Sequence, residues 1–474
     1  MSTNQIRVPA SDIPVLAETD VLVCGGGPAG CAAAIAAARK GAGTMLVEKY
    51  GFLGGATVSQ QVSHVLSTNG VDFQGIWHDW IRAISKRGGL LAKGLIGKPP
   101  QYRSGVDPEV VKHAWDDLLA TANVQIIHHA MVSKALVEDN ECRGLIVDTV
   151  AGPRIILARR TIDCTGDGAA CAAAGVPWSQ GDGKHPYNQS LTKVFRMGNV
   201  RWPQGGYPSE MVDALKNTAR RSVEEGEFDS PVIANGRVVR YATSGNVHDG
   251  SVVEYRTEMN QFPSRVLRVN PLDPLDLTRA EREGRAQAWQ CAAFLRKYVP
   301  GYEQAYLLDT SIHIGIRDSR RLHGQTTATD SDVWRLAKYD DGIAHASWDI
   351  DIWPGDSYDN PAVPRRKADY QERAKAINSG DYFDIRYGCI VAADIENMLM
   401  AGRCVSAERE AQASLRIQQT CMSTGEAAGV AAALSLREDT TPRELDPQIV
   451  VGQLEKDRDV EPAFPELRNL PFAG

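Results

Sequence analysis

What this 474-residue chain lacks narrows its function first. No stretch reaches the roughly 18 uninterrupted apolar residues of a membrane-spanning helix, so no membrane span is expected. Residues 1–20 show no basic region followed by an apolar run, so no secretory signal is expected and the cytoplasm is the expected location. A net charge of -7 and the lack of any lysine/arginine stripe argue against a nucleic-acid partner. The nine cysteines are scattered, with no C-x-x-C pair and no Cys/His spacing typical of zinc. Dithiol chemistry and a metal site are therefore not expected. Cys24, Cys31 and Cys164 sit in apolar runs, as reduced core thiols do. Repeats, low-complexity tracts and long like-charge runs are also missing.

What is present is an ordinary globular composition, 43% hydrophobic and 23% charged, on a chain long enough for two or three domains. The organising stretch lies near the start. Residues 21–24 read as a short buried strand and run directly into Gly25, Gly27 and Gly30, which have the G-x-G-x-x-G spacing. One glycine makes the tight turn, one admits a pyrophosphate to the backbone, and one lets the following helix pack closely on the strand. Pro28 and Ala29 open that helix, where a proline's missing N–H costs nothing, and its amide groups face anionic phosphates. Arg39 and Lys40 suit its negative end and Gly41 its C-terminal cap. A second strand ends at Glu48, placed to take ribose hydroxyls. Strand, glycines, helix, strand and acid in this order predict a dinucleotide site; a purely structural turn is the alternative. No second glycine fingerprint occurs, so a dedicated NAD(P)H domain is not expected.

Lys49 leads into a glycine-rich loop, Gly54, Gly55, Ala56 and Thr57. Helices are expected at 74–86 and 108–122, a strand at 124–128, and a meander at 131–138, 143–149 and 154–157. Residues 161–163 read as a further strand ending in the turn Thr165, Gly166 and Asp167. Beyond 175 the pattern becomes irregular, with strand-like pieces at 191–197, 238–243 and 305–316 and a helix at 278–298. Alternation returns at 385–392, followed by a buried strand at 397–402 and an Ala/Gly helix at 420–433. The expected architecture is α/β: a Rossmann-like dinucleotide domain from residues 1–174 and 382–440, an inserted mixed α+β substrate or cap domain from 175–381, and a tail, 441–474, laid on the surface.

The opening unit, the turn at Asp163 to Asp167, and the closing segment with Ala401, Gly402, Arg403, Cys404, Gly425 and Gly429 together resemble FAD-dependent oxidoreductases of the glutathione-reductase-like fold. More narrowly, they resemble the bacterial FAD-dependent oxidoreductases related to fumarate reductase and succinate dehydrogenase flavoproteins. The resemblance covers both ends and is thinner in the middle, where the run from Ile314 to Arg321 looks like a signature. It implies FAD as cofactor, with Gly25, Gly27 and Gly30 at its pyrophosphate, Glu48 at its ribose, and Val132 donating backbone groups to adenine. It also implies the loop from Gly54 to Thr57 under the ribityl and ring, Thr165, Gly166 and Asp167 on the dinucleotide side, and Gly402 with Gln419, Thr420 and Met422 toward the ribityl chain and pyrimidine. The chain departs from relatives in having Arg403 where an acid often contacts the ribityl. Arg403 either adds positive potential near the flavin or pairs with a neighbouring acid.

For the chemistry, the run from Ser311 to His323 carries the candidates. Read as a strand, it puts His313, Gly315 and Arg317 on one face and isoleucines on the other. His313 is the candidate catalytic base or acid, and Arg317 the clamp for a carboxylate or oxyanion. The alternative is that Arg317, Arg320 and Arg321 pair with acids at a domain seam. Further candidates are His64 (also for a covalent flavin link), His345, Arg386 with Tyr387, and Arg416, Gln418 and Gln419. The expected function is hydride transfer between a small organic substrate and tightly bound FAD, with an electron acceptor of unspecified kind and a homo-oligomer as an option. The alternatives are a flavin monooxygenase, a flavin-bearing electron-transfer subunit that needs a partner, or a protein that consumes NAD.

Overall fold

The computed structural model describes residues 12–65, 75–90, 104–185, 187–203, 206–243, 252–253, 258–358 and 367–459. Its main sheet contains β1 (Val15–Cys24), β2 (Thr44–Val47), β3 (Gln125–Ile127), β4 (Met131–Glu138), β5 (Glu141–Thr149), β6 (Gly152–Asp163) and β7 (Met398–Met400). The order is β3-β2-β1-β6-β5-β4, with β7 also on β6. β1, β2, β3, β6 and β7 run parallel, and β4–β5–β6 form the antiparallel meander. Register aligns Cys24 with Val47 and Asp163, and Asp163 with Met400. The chain therefore leaves three central strands and β2 at one edge, through Gly25, Glu48, Cys164 and Ala401. In parallel α/β sheets that edge is where ligands bind.

Helix α1 (Pro28–Arg39) covers one face of the sheet. It ends as expected: Gly41, at φ +90°, donates to Ala38 O, and Ala42 donates to Ala37 O, a Schellman closure. The Ala/Gly pattern of the closing helix has a packing reason. That helix spans Gln418–Arg437, and a Cβ on Gly425 or Gly429 would stand 2.1 Å from Ala29 O or Ala33 O of α1. Small residues one turn apart let the two helix backbones touch, and the pair forms the centre of a core shared with Trp80 and Trp115. Expected helices 74–86 and 108–122 are Ile76–Lys86 and Pro108–Thr121, the second capped by Asp107, which accepts from Glu109 N–H at 2.8 Å. Gln74 lies outside the described residues.

The middle of the chain supplies a four-stranded antiparallel sheet in the order Val252–Val253, Glu258–Gln261, Phe195–Gly198, Tyr306–Thr310. The long helix Pro274–Tyr298 packs beside it, with a separate core around Phe195, Phe294 and Tyr302.

Several expectations are corrected. The strands expected at 154–157 and 161–163 are one strand, β6; Arg159 and Arg160 interrupt the apolar pattern only because they reach outward, Arg160 to Ser435 Oγ and Thr440 O. Residues 238–243 are helical, in Arg237–Thr243. The β-branched propensity yields there to burial of Val238, Val239 and Ala242 after a turn at Gly236. The strand expected at 305–316 stops at Thr310, and that at 191–197 begins only at Phe195; Thr192 and Gly315 meet in a single bridge instead. The alternation at 385–392 is the end of Phe383–Arg386 followed by a turn. The tail is not merely laid on the surface: Pro447–Asp459 is a helix that buries Val450 and Leu454. Residues 460–474 lie outside the described residues.

Candidate active site

The C-terminal edge of the parallel strands opens onto a cavity of about 970 Å³. Gly25, Gly27, Pro28, Ala29, Glu48, Lys49, Gly55, Ala56, Thr165, Gly166, Asp167, Gly402 and Arg403 all stand on its wall, and so do His313 and Arg317. Residues from both ends and the middle of the chain thus meet in one space.

The glycine turn has the shape that its spacing implies. Gly25 has φ +98°, and a Cβ there would lie 2.6 Å from Cys164 O. A Cβ on Gly30 would lie 1.8 Å from Gly25 O, so this glycine sets the packing of α1 under the turn rather than the cavity wall. Gly27 differs: its Cβ would meet only Gly55 Cα, at 3.8 Å. The chain therefore keeps that side bare without needing it for packing. Glu48 is 7% exposed and accepts from Gly26 N–H at 2.6 Å and Tyr50 N–H at 2.9 Å, one donor on each carboxylate oxygen. Each oxygen keeps a lone pair for a hydroxyl.

The loop from Gly54 to Thr57 docks on this turn. Gly54 donates to Gly26 O at 2.8 Å, and Gly55 begins the short helix Ala56–Ser59. Thr57 is buried and donates to Gln418 Oε1 at 2.6 Å, while Gln418 Nε2 donates to Val62 O. These bonds tie the loop to the start of the closing helix, which has no side-chain cap. Its first-turn N–H groups and positive dipole end are thus open beside Ile417 and Gln418, both wall residues. Gln419, Thr420 and Met422 are buried near that helix start and do not stand on the wall; among the described residues neither amide atom of Gln419 has a hydrogen-bond partner. Gly54 and Thr57 are also behind the wall, and Val132 lies in β4, paired with Val147.

The second turn is organised by Asp163, whose carboxylate accepts from Thr165 N–H, Thr165 Oγ and Cys171 N–H at 2.8–3.0 Å. Asp167 meets Arg403 at 2.6 Å. Burial pushes the Asp167 carboxyl up, but Arg403, Lys49 and Ser319 hold it below the usual carboxylate range overall. Arg403 is therefore paired with an acid, yet it also stands on the wall.

The segment after Ser311 is not a strand, so the expected division into two faces does not hold: Ile314 and Ile316 line the cavity beside His313, Gly315 and Arg317. Its shape comes from outside contacts. His313 N–H donates to Ser59 O at 3.1 Å, Ile314 N–H donates to Glu281 Oε1 at 2.5 Å, and Gly315 N–H donates to Thr192 O at 2.8 Å. Glu281 is held in turn by the buried Lys193 at 2.6 Å.

His313 Nδ1 lies 2.7 Å from Ile314 O, an oxygen that only accepts, so Nδ1 carries the hydrogen and Nε2 the lone pair. Ser59 Oγ lies 3.2 Å from Nε2 but also 2.7 Å from Gly55 O, to which it donates. Burial, with Lys49 nearby, lowers the His313 pKa to about 4. At neutral pH this side chain is an uncharged acceptor.

Arg317 donates to Ser190 O at 2.6 Å and Thr192 Oγ1 at 3.0 Å, and no carboxylate pairs with it among the described residues. Its seam-pairing alternative does not apply. Arg320 bonds Asp167 O and Arg321 bonds Gly181 O, also without an acid. Arg416 reaches the wall and pairs with Asp351 at 2.8 Å. His345 pairs with Asp384, and Arg386 with Asp341; both stand away from the cavity, as does Tyr387. His64 pairs with Gly105 in a short ladder. The sequence reading missed Ser59, Glu281, Tyr241, Phe262, Trp348, Asp351 and Trp353, all on the wall. For Trp348, Asp351 and Trp353 the local signal was two tryptophans flanking an Asp/Ile alternation at 348–353.

A sheet with a parallel core, a glycine turn bare toward a cavity, a buried ribose-type acid and an uncapped helix start define a dinucleotide-binding class. The chain belongs to the FAD dependent oxidoreductase family, whose model matches residues 20–455. It is an FAD-dependent oxidoreductase and FAD is its cofactor. The bare side of Gly27, the spare lone pairs of Glu48 and the open helix start fit that cofactor.

No curated protein matches the chain in sequence. Similar solved structures include a geranylgeranyl bacteriochlorophyll reductase-like protein from Thermoplasma acidophilum, at 11% identity and TM-score 0.44, covering 93% of this chain and 83% of that one. The flavin-dependent brominase Bmp2 gives 12% identity and TM-score 0.44 over 93% and 83%. The anhydrotetracycline hydroxylase OxyS from Streptomyces rimosus gives 12% and 0.41 over 96% and 68%. Likeness at this level says nothing about the reaction. No helix among the described residues is long and apolar enough to cross a membrane.

Proposed function

We propose that this oxidoreductase oxidises a small organic substrate by hydride transfer, with His313 as proton acceptor and Arg317 as substrate clamp. One observation carries the reading: the Nε2 lone pair of His313 and the guanidinium of Arg317, which no described acid pairs with, stand on the same cavity wall as the glycine turn. FAD, when bound, takes the two electrons and hydrogen of the hydride. Gly25, Gly27, Pro28 and Ala29 would hold its pyrophosphate, Glu48 its ribose, and Gly402 with the start of the closing helix its ring end.

His313 takes the proton that a substrate hydroxyl releases as the hydride departs. At pH 7 its Nε2 is unprotonated and its Nδ1–H is held by Ile314 O, so Nε2 is available as an acceptor, although the lowered pKa makes it a weak base. Ile314 O fixes the tautomer, and Glu281 fixes Ile314. The same reading makes residues 175–381 a cap over the dinucleotide domain. It also keeps the glutathione-reductase-like subtype and the kinship with fumarate reductase flavoproteins, supported by the meander between β3 and β6 and by the resemblance of both chain ends.

The test is the rate at which substrate bleaches bound FAD in the His313→Ala variant. A fall of about 10²-fold or more with FAD content unchanged is expected for a lost general base. Bleaching at the parental rate removes His313 from the mechanism.

A further inference from the structure

We propose that the substrate is an organic acid: a single carboxylate held by Arg317, on a flat apolar body seated against Trp353, Tyr241 and Phe262. This rests on the clamp role given to Arg317 above and names what it clamps. The cap end of the cavity is lined by three cations, Arg240, Arg317 and Arg416, and two acids, Asp349 and Asp351. Asp351 is committed to Arg416, and Asp349 lies 3.6 Å from Arg373. More positive charge stands behind the wall. Arg265 lies 3.9 Å and Arg237 5.3 Å from the centre of the Trp353 ring, and Arg317 lies 5.8 Å from it. Arg237 is 6% exposed; its guanidinium bonds Pro263 O and Tyr241 Oη, and among the described residues Nη1 has no partner.

The geometry points to a carboxylate in particular. Ser190 O and Thr192 Oγ1 take one N–H from each terminal nitrogen of Arg317, which fixes the plane of the fork and leaves one further N–H on each. The planar guanidinium keeps N–H groups that can be offered to the two oxygens of a carboxylate. Burial and the neighbouring Arg416 lower Arg317 only to about 10, so it stays charged at neutral pH. Rings continue from the clamp: Trp353, then Arg237 stacked 5.2 Å from Tyr241, then Phe262 at 6.3 Å from Tyr241. An aromatic or conjugated body buries its faces against these rings, whereas a small polar acid leaves them bare.

The experiment titrates FAD-loaded protein with benzoate, acetate and benzamide, following perturbation of the flavin absorption bands and, independently, heat of binding. Benzoate is expected to bind at least tenfold tighter than benzamide, which has the ring without the charge, and tighter than acetate, which has the charge without the ring. Arg317→Gln should lose at least tenfold for benzoate and leave benzamide unchanged, with FAD content reporting that the variant is folded. Arg317→Lys, which keeps the charge but not the fork, should fall between. Equal binding of benzoate and benzamide, or an Arg317→Gln variant that binds benzoate as the parent does, overturns the proposal. If a neutral alcohol bleaches the flavin and needs His313 while benzoate fails to bind, the substrate class falls and the hydride reading stands. If benzoate binds as expected while His313→Ala loses nothing in bleaching, the reverse holds.

Discussion

Arg403 and Asp167 join at 2.6 Å a turn from the first third of the chain to a segment 236 residues later, and Ser319 from the middle bonds both of them, at 2.8 and 2.7 Å. Three parts of the chain are thus tied at the cavity wall by one ion pair. Removing one partner leaves the other charge poorly solvated. Asp167→Asn or Arg403→Gln alone should destabilise by about 1–3 kcal/mol, and the double variant by less than the sum. Denaturant unfolding of all four proteins checks this, and strict additivity would show the pair to be uncoupled.

Acid should weaken the same contact. The folded-state pKa of Asp167 is below the ordinary value, so its contribution is complete above that value and disappears as pH falls through the lower folded-state pKa. Replacing Asp167 with Asn should remove that part of the acid-side slope in a plot of stability against pH.

His313 gives a second pH signature in a different window. Its folded-state pKa, about 4, lies below the ordinary 6.5, so the unfolded chain binds more protons between these values. Stability is fully present above about 6.5 and declines as pH drops toward 4, by on the order of 2–3 kcal/mol. His313→Asn should flatten that window; an unchanged slope would show that the imidazole is not buried as a neutral group.

Two glycines where α1 meets its neighbours should behave in opposite ways. Gly27 has φ −77° and open space, so Gly27→Ala should fold within about 1 kcal/mol of the parent and lose FAD. Gly425→Ala drives a methyl into Ala29 O and should destabilise by at least about 2–3 kcal/mol. Melting temperature and flavin content, measured together, separate the two effects. A Gly27→Ala protein that keeps its full flavin content would mean that this face holds no cofactor.

All nine cysteines are buried. Burial raises the pKa of their thiols, as for Cys24, Cys31 and Cys164. A thiol reagent should find almost none in the native protein and all nine after denaturation. Several fast-reacting thiols in the native state would contradict the packing.

The sequence by itself determined the parts whose physics is local. Gly25, Gly27, Gly30 and Glu48 lie within one strand–helix–strand unit, and their roles follow from turn geometry, close approach and charge over about two dozen residues. The closing Ala/Gly helix was legible as a run of small helix formers, but that Gly425 and Gly429 touch α1 is a contact only the fold makes. Tertiary structure alone decided the rest. Residues 311–317 resemble a strand, yet Ser59, Thr192 and Glu281 hold them as an irregular wall from positions 33 to 254 residues away. Residues 238–243 have strand propensity, yet burial makes them helical. That His313 is a neutral acceptor depends on its own neighbour's carbonyl and on its burial near Lys49. That Arg317 has no acid depends on Asp351 going to Arg416 instead. Protonation states and pairings of this kind are set by which groups share a low-dielectric space, and distance along the chain does not encode that.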